Sequence, residues 1–514
     1  MIDATFIVPN NAAGVYQDLS NKYSAIETPT WALLLAESCR SINLNVSIID
    51  TLAENLSDSQ TIERLKKNTT KAIIFVVYGQ NVNAGTTNMS GAIRLSKLIK
   101  KNLSTRICFI GSHVQALPVQ TLQEQESIDI VFTNEGVYAL RNILKTNHDY
   151  KEYKKVKGIA FRNSSTNKIE INPPEKVVPQ DKMDIDLPGY AWDLLPYKNT
   201  PFDLYRAPMW HSEYKEENRT PYAAIQTSLG CQFGCNFCMI NIINRDDNDP
   251  IGVAGNYSKM RFWSTDFIIK EFDKLFSYGV KTIKITDEMF LLNPKYYKPL
   301  CEKLAERNTE DKFKIWAYSR IDTVKRPEIL NLVRKAGIKW LCLGIESGDK
   351  KVRLEVAKGK FEDVDVRTVV KKIHDANIEV LANFIFGLPG DDLETMKKTL
   401  DLGKELCTSG WNGYAAMALP GSQLYKDAIE KKYKLPENFE GYSFHAYNTV
   451  PLPTEKLPAY KILEFRDKAF IEYHSNENFL KRIKDKFGIQ AVNSIKEMLK
   501  IKLKRKIIEE ANKH

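Results

Sequence analysis

Cys231, Cys235 and Cys238 lie at C-x3-C-x2-C spacing within Leu229-Gly230-Cys231-Gln232-Phe233-Gly234-Cys235-Asn236-Phe237-Cys238. Soft thiolates suit cluster iron, and three ligands on a four-iron, four-sulfur cluster leave one iron open to chelate a second molecule. Gly230 and Gly234 allow the backbone to curl closely around such a group. A zinc knot is the competing reading. It pairs cysteines as C-x2-C and requires a fourth ligand, which would have to be His211, Cys301, Cys342 or Cys407, each with an equally good core or surface role.

The elements that must hold these thiols follow from pattern. At 514 residues the chain exceeds the size of a single hydrophobic core, so two or three domains are expected. With 43% hydrophobic and 27% charged residues it is a folded protein, not a disordered or collagen-like one. It shows no long apolar run and no leader-like start, so neither a membrane span nor secretion is expected. Three clustered cysteines out of eight point to metal in a reducing compartment, hence a cytoplasmic location. The net charge of +10 selects no partner by itself, and nucleic acid is not expected. The basic stretch Lys500–Lys506 reads as a solvated terminal helix or, alternatively, a membrane-surface or acidic-partner contact.

The fold class is α/β. Residues 1–150 alternate helices with short apolar strands at Ala4–Val8, Val46–Asp50, Ala72–Tyr78, Ile107–Ile110 and Ile128–Phe132, the pattern of a doubly wound, Rossmann-type domain. Residues 151–215 are a proline-rich linker with a hairpin over Gly158–Ile171. Residues 216–420 carry six further strands, at Ala223–Thr227, Thr282–Thr286, Lys314–Ser319, Trp340–Ile345, Leu381–Phe386 and Tyr414–Ala418. Six units cannot close an eight-stranded barrel, so an open, partial (β/α)6 TIM barrel is expected, with ligands at the C-terminal strand ends. Residues 421–514 are mainly helical and form a candidate substrate lid, in which Tyr442, Phe444, His445 and Tyr447 would line a pocket or pack on the barrel.

The cysteine motif, with Phe237 before its last cysteine and a strand before its first, resembles the signature of the radical S-adenosylmethionine (SAM) superfamily. Further matches follow in order at Thr286-Asp287-Glu288, Ser319-Arg320-Ile321-Asp322, Gly344-Ile345-Glu346-Ser347-Gly348, Phe386-Gly387-Leu388-Pro389-Gly390 and Leu419-Pro420-Gly421-Ser422. The resemblance implies that the three cysteines hold a [4Fe-4S] cluster and that Phe237 lies against the bound cofactor. Asp287 or Glu288 would accept the SAM ammonium, Arg320 would approach its carboxylate and Glu346 would contact SAM; opposite charges on a zwitterion need such a pair.

The first domain resembles the cobalamin-binding module that precedes the barrel in many methylases. The matching pieces are Pro9, Thr28-Pro29, Gly111-Ser112-His113 and Asn134-Glu135-Gly136. Cobalamin contacts are thereby implied for Pro9, Gly111, Ser112, His113, Glu135 and Gly136. The usual double glycine is Ile110-Gly111 here, and Val137 replaces the usual acidic residue. The D-x-H-x-x-G motif is absent, which implies a corrin bound without a protein imidazole below cobalt. The whole pattern resembles a cobalamin-dependent radical SAM enzyme, methyltransferase-like, and implies methylation of an unactivated carbon through a 5′-deoxyadenosyl radical and methylcobalamin. A small-molecule or biosynthetic-intermediate substrate and an electron donor such as flavodoxin or ferredoxin are the implied partners. A cyclisation or rearrangement without methyl transfer is the alternative within enzymes, and a non-catalytic, metal-stabilised binding protein the alternative outside them.

Overall fold

Ala72-Ile73-Ile74-Phe75-Val76-Val77 is apolar at every position, as a strand covered on both faces requires. The computed structural model describes residues 2–513 except 80–81, 147–149, 164, 209–213, 325 and 357–360, so His211 lies outside the described residues. In it that run belongs to β3 (Thr70–Val77), an inner strand of a seven-stranded sheet with β1 (Ile2–Val8), β2 (Val46–Asp50), β4 (Arg106–Gly111), β5 (Ile130–Phe132), β6 (Ile159–Arg162) and β7 (Ile169–Ile171). The order is β2-β1-β3-β4-β5-β6-β7; β1 to β5 are parallel and the hairpin β6–β7, expected within the linker, extends the sheet antiparallel. Because the chain passes from β1 to β2 on one side and then to β3 on the other, the direction of winding reverses between β1 and β3. Ligands of open α/β sheets bind at that crevice.

The second unit contains β8 (Tyr222–Ile225), β9 (Ser228–Cys231), β10 (Lys259–Phe262), β11 (Thr282–Ile285), β12 (Lys314–Arg320), β13 (Ile338–Glu346), β14 (Glu379–Phe386) and β15 (Gly410–Ala415). Six of them form a parallel sheet in the order β15-β14-β13-β12-β11-β8, curled into a half-barrel. β15 starts four residues before the expected Tyr414. Its glycines read as loop, yet at Gly410 the space of a side chain is filled by Leu381, and at Gly413 by Trp411 and Phe386. β9 and β10 pair as an antiparallel ribbon whose last register is Cys231 with Lys259. No turn signal announces this ribbon, because the loop between its strands is long.

The two units are joined by buried polar contacts. Thr28 Oγ accepts from the Ala224 amide at 2.9 Å and donates to the Ala224 carbonyl at 2.8 Å, so one hydroxyl completes the open edge of β8. Beside it Lys284 and Glu27 form an ion pair of 2.5 Å, both about 95% buried. Glu135 accepts from Arg261 Nη2 and from the Val178 amide, both at 2.6 Å.

The C-terminal helices Gln423–Glu430, Ala459–His474, Glu477–Phe487 and Ile489–Leu499 pack on the barrel, and Phe487 stacks on Trp340 at 5.6 Å near the N-terminal ends of the strands. The basic stretch is not a solvated helix. It runs extended up to Lys506, where the final helix begins, because Arg505 is buried against Asp467 at 2.8 Å and 2.9 Å and Lys504 is held by Gln17.

Removing one partner of a buried pair strands the other charge, at about 3–5 kcal/mol. Glu135→Ala should therefore lower the urea midpoint strongly, and Arg261→Met added to it should recover part of the loss. A double variant no more stable than the single one would argue against a charge penalty.

Candidate active site

Asp287 follows β11 and turns back into the fold. Its Oδ1 accepts from the Thr227 amide and its Oδ2 from the Thr227 and Ser228 hydroxyls, each at 2.6 Å. Burial raises its pKa and these donors oppose the rise. Asp287 thus clamps the turn that launches β9 and the cysteine loop. Glu288, the next residue, lines the cleft instead. Of the acidic pair, Glu288 is the one with a carboxylate directed at a ligand space.

Cys231 ends β9, and its amide donates to Asn241 Oδ1 at 2.7 Å while Asn241 Nδ2 returns to the Phe233 carbonyl at 3.0 Å, closing the loop. Gly230, at φ 79°, passes so close to the Lys259 carbonyl that no side chain would fit. The sulfurs sit among donors. Cys231 Sγ accepts from the Phe233 amide at 3.4 Å, and Cys238 Sγ from the Ile240 amide at 3.5 Å and Asn83 Nδ2 at 3.7 Å. The Arg320 guanidinium lies beside Cys235 and favours its thiolate. Burial, with the nearby acids Glu288 and Glu346 adding to it, pushes the Cys231 and Cys235 thiols up to about 12, and Cys238 upward as well. Such soft, N–H-solvated ligands fit a group that carries positive iron, since metal binding displaces the proton. Phe237 is half-buried and packs against the core. Cys301 sits inside the helix Pro294–Arg307, Cys342 in β13 against Asn383 and Cys407 at the end of the helix Leu393–Leu406.

Arg320 ends β12 and stacks on the rings of Phe233 at 3.8 Å and Phe361 at 4.5 Å. Its fork is held by Asp322 through two bonds of 2.6 Å. Glu346 ends β13 at φ 66°, where the register with β14 shifts, and its carboxylate folds over Gly344. Burial raises Glu346 to about 7 against the pull of Arg320, and raises Glu288 to about 7 against Lys284. The cysteine loop, Glu288, Arg320 and Glu346 therefore surround one barrel mouth.

Facing that mouth is a cleft of about 1020 Å³, counted to its opening. Pro9 and Tyr78, just past β1 and β3, line one side; Gln226, Thr286 and Glu288 line the other. Trp31 stacks on Tyr78 at 5.0 Å in its wall. Of the six residues expected at the corrin, Pro9 lines this cleft. Gly111 lies flat against Val77, and Ser112 is buried against Gly85. His113 is buried, bonded to Thr86 at 3.3 Å and edge-on to Phe439 at 5.1 Å; burial lowers its pKa to about 4. Glu135 is committed to Arg261, and Gly136, left-handed at φ 76°, starts the helix Val137–Leu144. Sequence reasoning missed Tyr16, Glu27, Trp31 and Tyr78 as cleft residues, although the position of Tyr78 just past β3 was a usable signal. It also missed the barrel interior, where Asn383 donates to Cys342 Sγ at 3.0 Å and accepts from Asn412 at 3.0 Å. The C-terminal loop reaches both units: Phe444 meets Tyr414 edge-on at 4.9 Å, and His445 lies 5.3 Å from Tyr16.

The family model of the radical SAM superfamily matches residues 225–403, the span of the cysteine loop and of β11 to β14. Residues 225–403 are thus similar to a radical SAM domain. A Pyrococcus horikoshii protein described as an uncharacterized methyltransferase is 25% identical over 89% of this chain and 90% of its own length. The anaerobic magnesium-protoporphyrin IX monomethyl ester cyclase of Cereibacter sphaeroides is 22% identical over 82% of this chain, which spans 62% of that cyclase. Among solved structures, the radical SAM methyltransferase TsrM of Kitasatospora setae with cobalamin and a [4Fe-4S] cluster bound superposes with a TM-score of 0.60 at 13% identity, over 84% of this chain and 78% of that one. The chain therefore has the two-unit fold of that structure. No helix among the described residues is long and apolar enough to cross a membrane.

The raised carboxyl of Glu288 has a pH signature. Between its usual 4.5 and about 7 the native state binds more protons than the unfolded state, so stability falls as pH rises through that window and levels off above it. Glu288→Gln removes this contribution, and the SAM-free variant should be more stable than the parent by about 1–3 kcal/mol at pH 8 and equal to it near pH 4.5. Urea titrations at both pH values test this, and a variant less stable at pH 8 would contradict it.

Proposed function

We propose that this chain is a cobalamin-dependent radical SAM enzyme that methylates an unactivated carbon of a small-molecule substrate. The observation that carries the reading is the shared cleft: the switch point of the first sheet is lined on its far side by Gln226, Thr286 and Glu288 of the barrel and by Ile240, two residues past Cys238. Two cofactor chemistries that must meet at one substrate need such a geometry. When bound, the cluster, SAM and corrin supply reductive SAM cleavage, hydrogen abstraction and methyl transfer.

The chain's own residues bind and orient. Cys231, Cys235 and Cys238 hold the cluster, with Phe237 on the same loop. Glu288 accepts the SAM ammonium, Arg320 faces the carboxylate from its perch on Phe233, and Glu346 supplies a further polar contact. Asp287 acts behind them by fixing the loop. Pro9 and the Trp31–Tyr78 stack border the corrin, while Gly111, Ser112, Glu135 and Gly136 shape the sheet edge behind it. Residues 1–150 form the cobalamin-binding unit, 151–215 the linker, 216–420 the radical SAM barrel and 421–514 the cover that excludes water. A flavodoxin or ferredoxin supplies electrons in a reducing compartment such as the cytoplasm. The likeness to a cyclase supports the second reading, ring formation or rearrangement without methyl transfer.

Replacing Cys231, Cys235 and Cys238 by Ala should abolish iron binding and both SAM-derived products, whereas Cys39, Cys108, Cys301, Cys342 and Cys407 should be dispensable for iron. Turnover should give S-adenosylhomocysteine and 5′-deoxyadenosine in near-equal amounts, both lowered together in Arg320→Ala. If 5′-deoxyadenosine forms with a product of unchanged carbon count and no S-adenosylhomocysteine, the rearrangement reading replaces this one.

The position of His113 generates a separate expectation. Its ring is used by Thr86 and Phe439 away from the cleft, so the cobalt(II) form should show no axial nitrogen splitting in electron paramagnetic resonance. A splitting that disappears in His113→Ala would refute it.

A further inference from the structure

Asn83 belongs to the first unit, in the short turn Val82–Ala84 between β3 and the helix Gly85–Asn102. Its neighbours Val82 and Ala84, and Gly79 before it, line the cleft. Its own side chain reaches the cysteine loop of the second unit. Asn83 Oδ1 accepts from the Met239 amide at 2.9 Å, and Asn83 Nδ2 donates to Cys238 Sγ at 3.7 Å. Because a backbone N–H can only donate, the Met239 contact fixes which way the amide lies and aims its N–H at the sulfur.

We propose that Asn83 is a positioning residue that couples occupation of the corrin cleft to the reduction potential of the cluster held by Cys238. This rests on the cofactor assignment above. One-electron reduction by the external donor adds negative charge to the cluster and its ligand sulfurs. An N–H aimed at a ligand sulfur stabilises that charge and raises the potential. The turn carrying Asn83 also forms part of the cleft wall, so a corrin seated there holds the turn and keeps the donor on the sulfur. An empty cleft leaves the turn held by the Met239 amide and by Thr87 and Asn88 on the Ala84 carbonyl, without a ligand against its cleft face. The electron would then be accepted more readily when the second cofactor is in place, which limits SAM cleavage in its absence.

The test is a redox titration of the cluster signal by electron paramagnetic resonance, on the full chain with and without hydroxocobalamin. In the parent protein, corrin loading should raise the midpoint potential. Asn83→Asp keeps an acceptor for the Met239 amide but replaces the donor, so iron content and visible absorption should match the parent. At a fixed poise its ratio of reduced to oxidised cluster should be about threefold lower or less, the equilibrium worth of a modest hydrogen bond. Its response to corrin should be lost. An unmoved midpoint in the corrin-loaded parent overturns the proposal without any variant, as does a corrin response that persists in Asn83→Asp. Failure of the parent to bind iron through its cysteines would instead overturn the cofactor assignment.

Discussion

A parallel sheet of six strands that does not close leaves its two edge strands unpaired and one mouth open, and the fold is organised around covering them. Unpaired backbone groups buried without partners cost free energy comparable to lost hydrogen bonds. At the β8 edge a single hydroxyl, that of Thr28, gives Ala224 both a donor and an acceptor. Thr28 is delivered by the segment before the helix Thr30–Arg40, so completing the edge brings the whole first sheet against the barrel. The buried Glu27–Lys284 pair fixes its angle, since two buried charges have few alternative partners. Once docked this way, the C-terminal ends of β1 and β3 must face the mouth.

Electrostatics at that mouth follows from the docking. The site gathers three thiols, two acids raised by burial and one guanidinium held between rings. In a buried setting a charged ligand is preferred to an isolated side-chain charge, because each ligand charge meets a group that its own arrival helps to ionise. Asp287 and Asp322 matter to this arrangement through position. The first saturates its oxygens on the turn before the cysteine loop, and the second sets the plane of Arg320. Both are second supports for residues that face the ligand space, the usual requirement for a site held to sub-ångström tolerance.

The C-terminal region finishes the enclosure. Its loop places Phe444 on Tyr414 of the barrel and His445 beside Tyr16 of the first unit, and the extended basic strap locks that loop through Arg505, whose guanidinium reaches Asp467 and the Ala446 carbonyl. The positive residues that suggest a surface partner in the linear chain are in part structural.

The sequence by itself determined the chemistry class and the order of the elements. Thiolate spacing is local, and the strands of both units are apolar runs long enough to be read without their partners; Val46–Asp50 and the helix beginning at Thr30 lie where the pattern puts them. The start of β15 and the ribbon β9–β10 were not legible, because a glycine-rich segment is stabilised by the side chains of its neighbours and the ribbon pairs residues with no turn between them. Only the tertiary structure decided which of Asp287 and Glu288 faces the cleft, since adjacent residues project to opposite sides and either fits a motif. Only it turned His113 and Glu135 to Thr86 and Arg261, away from the cleft, and brought Asn83 to Cys238 across 155 positions of chain. Ligand type is written in residue identity, whereas the direction of a side chain depends on what packs behind it, and that is settled when the two sheets meet.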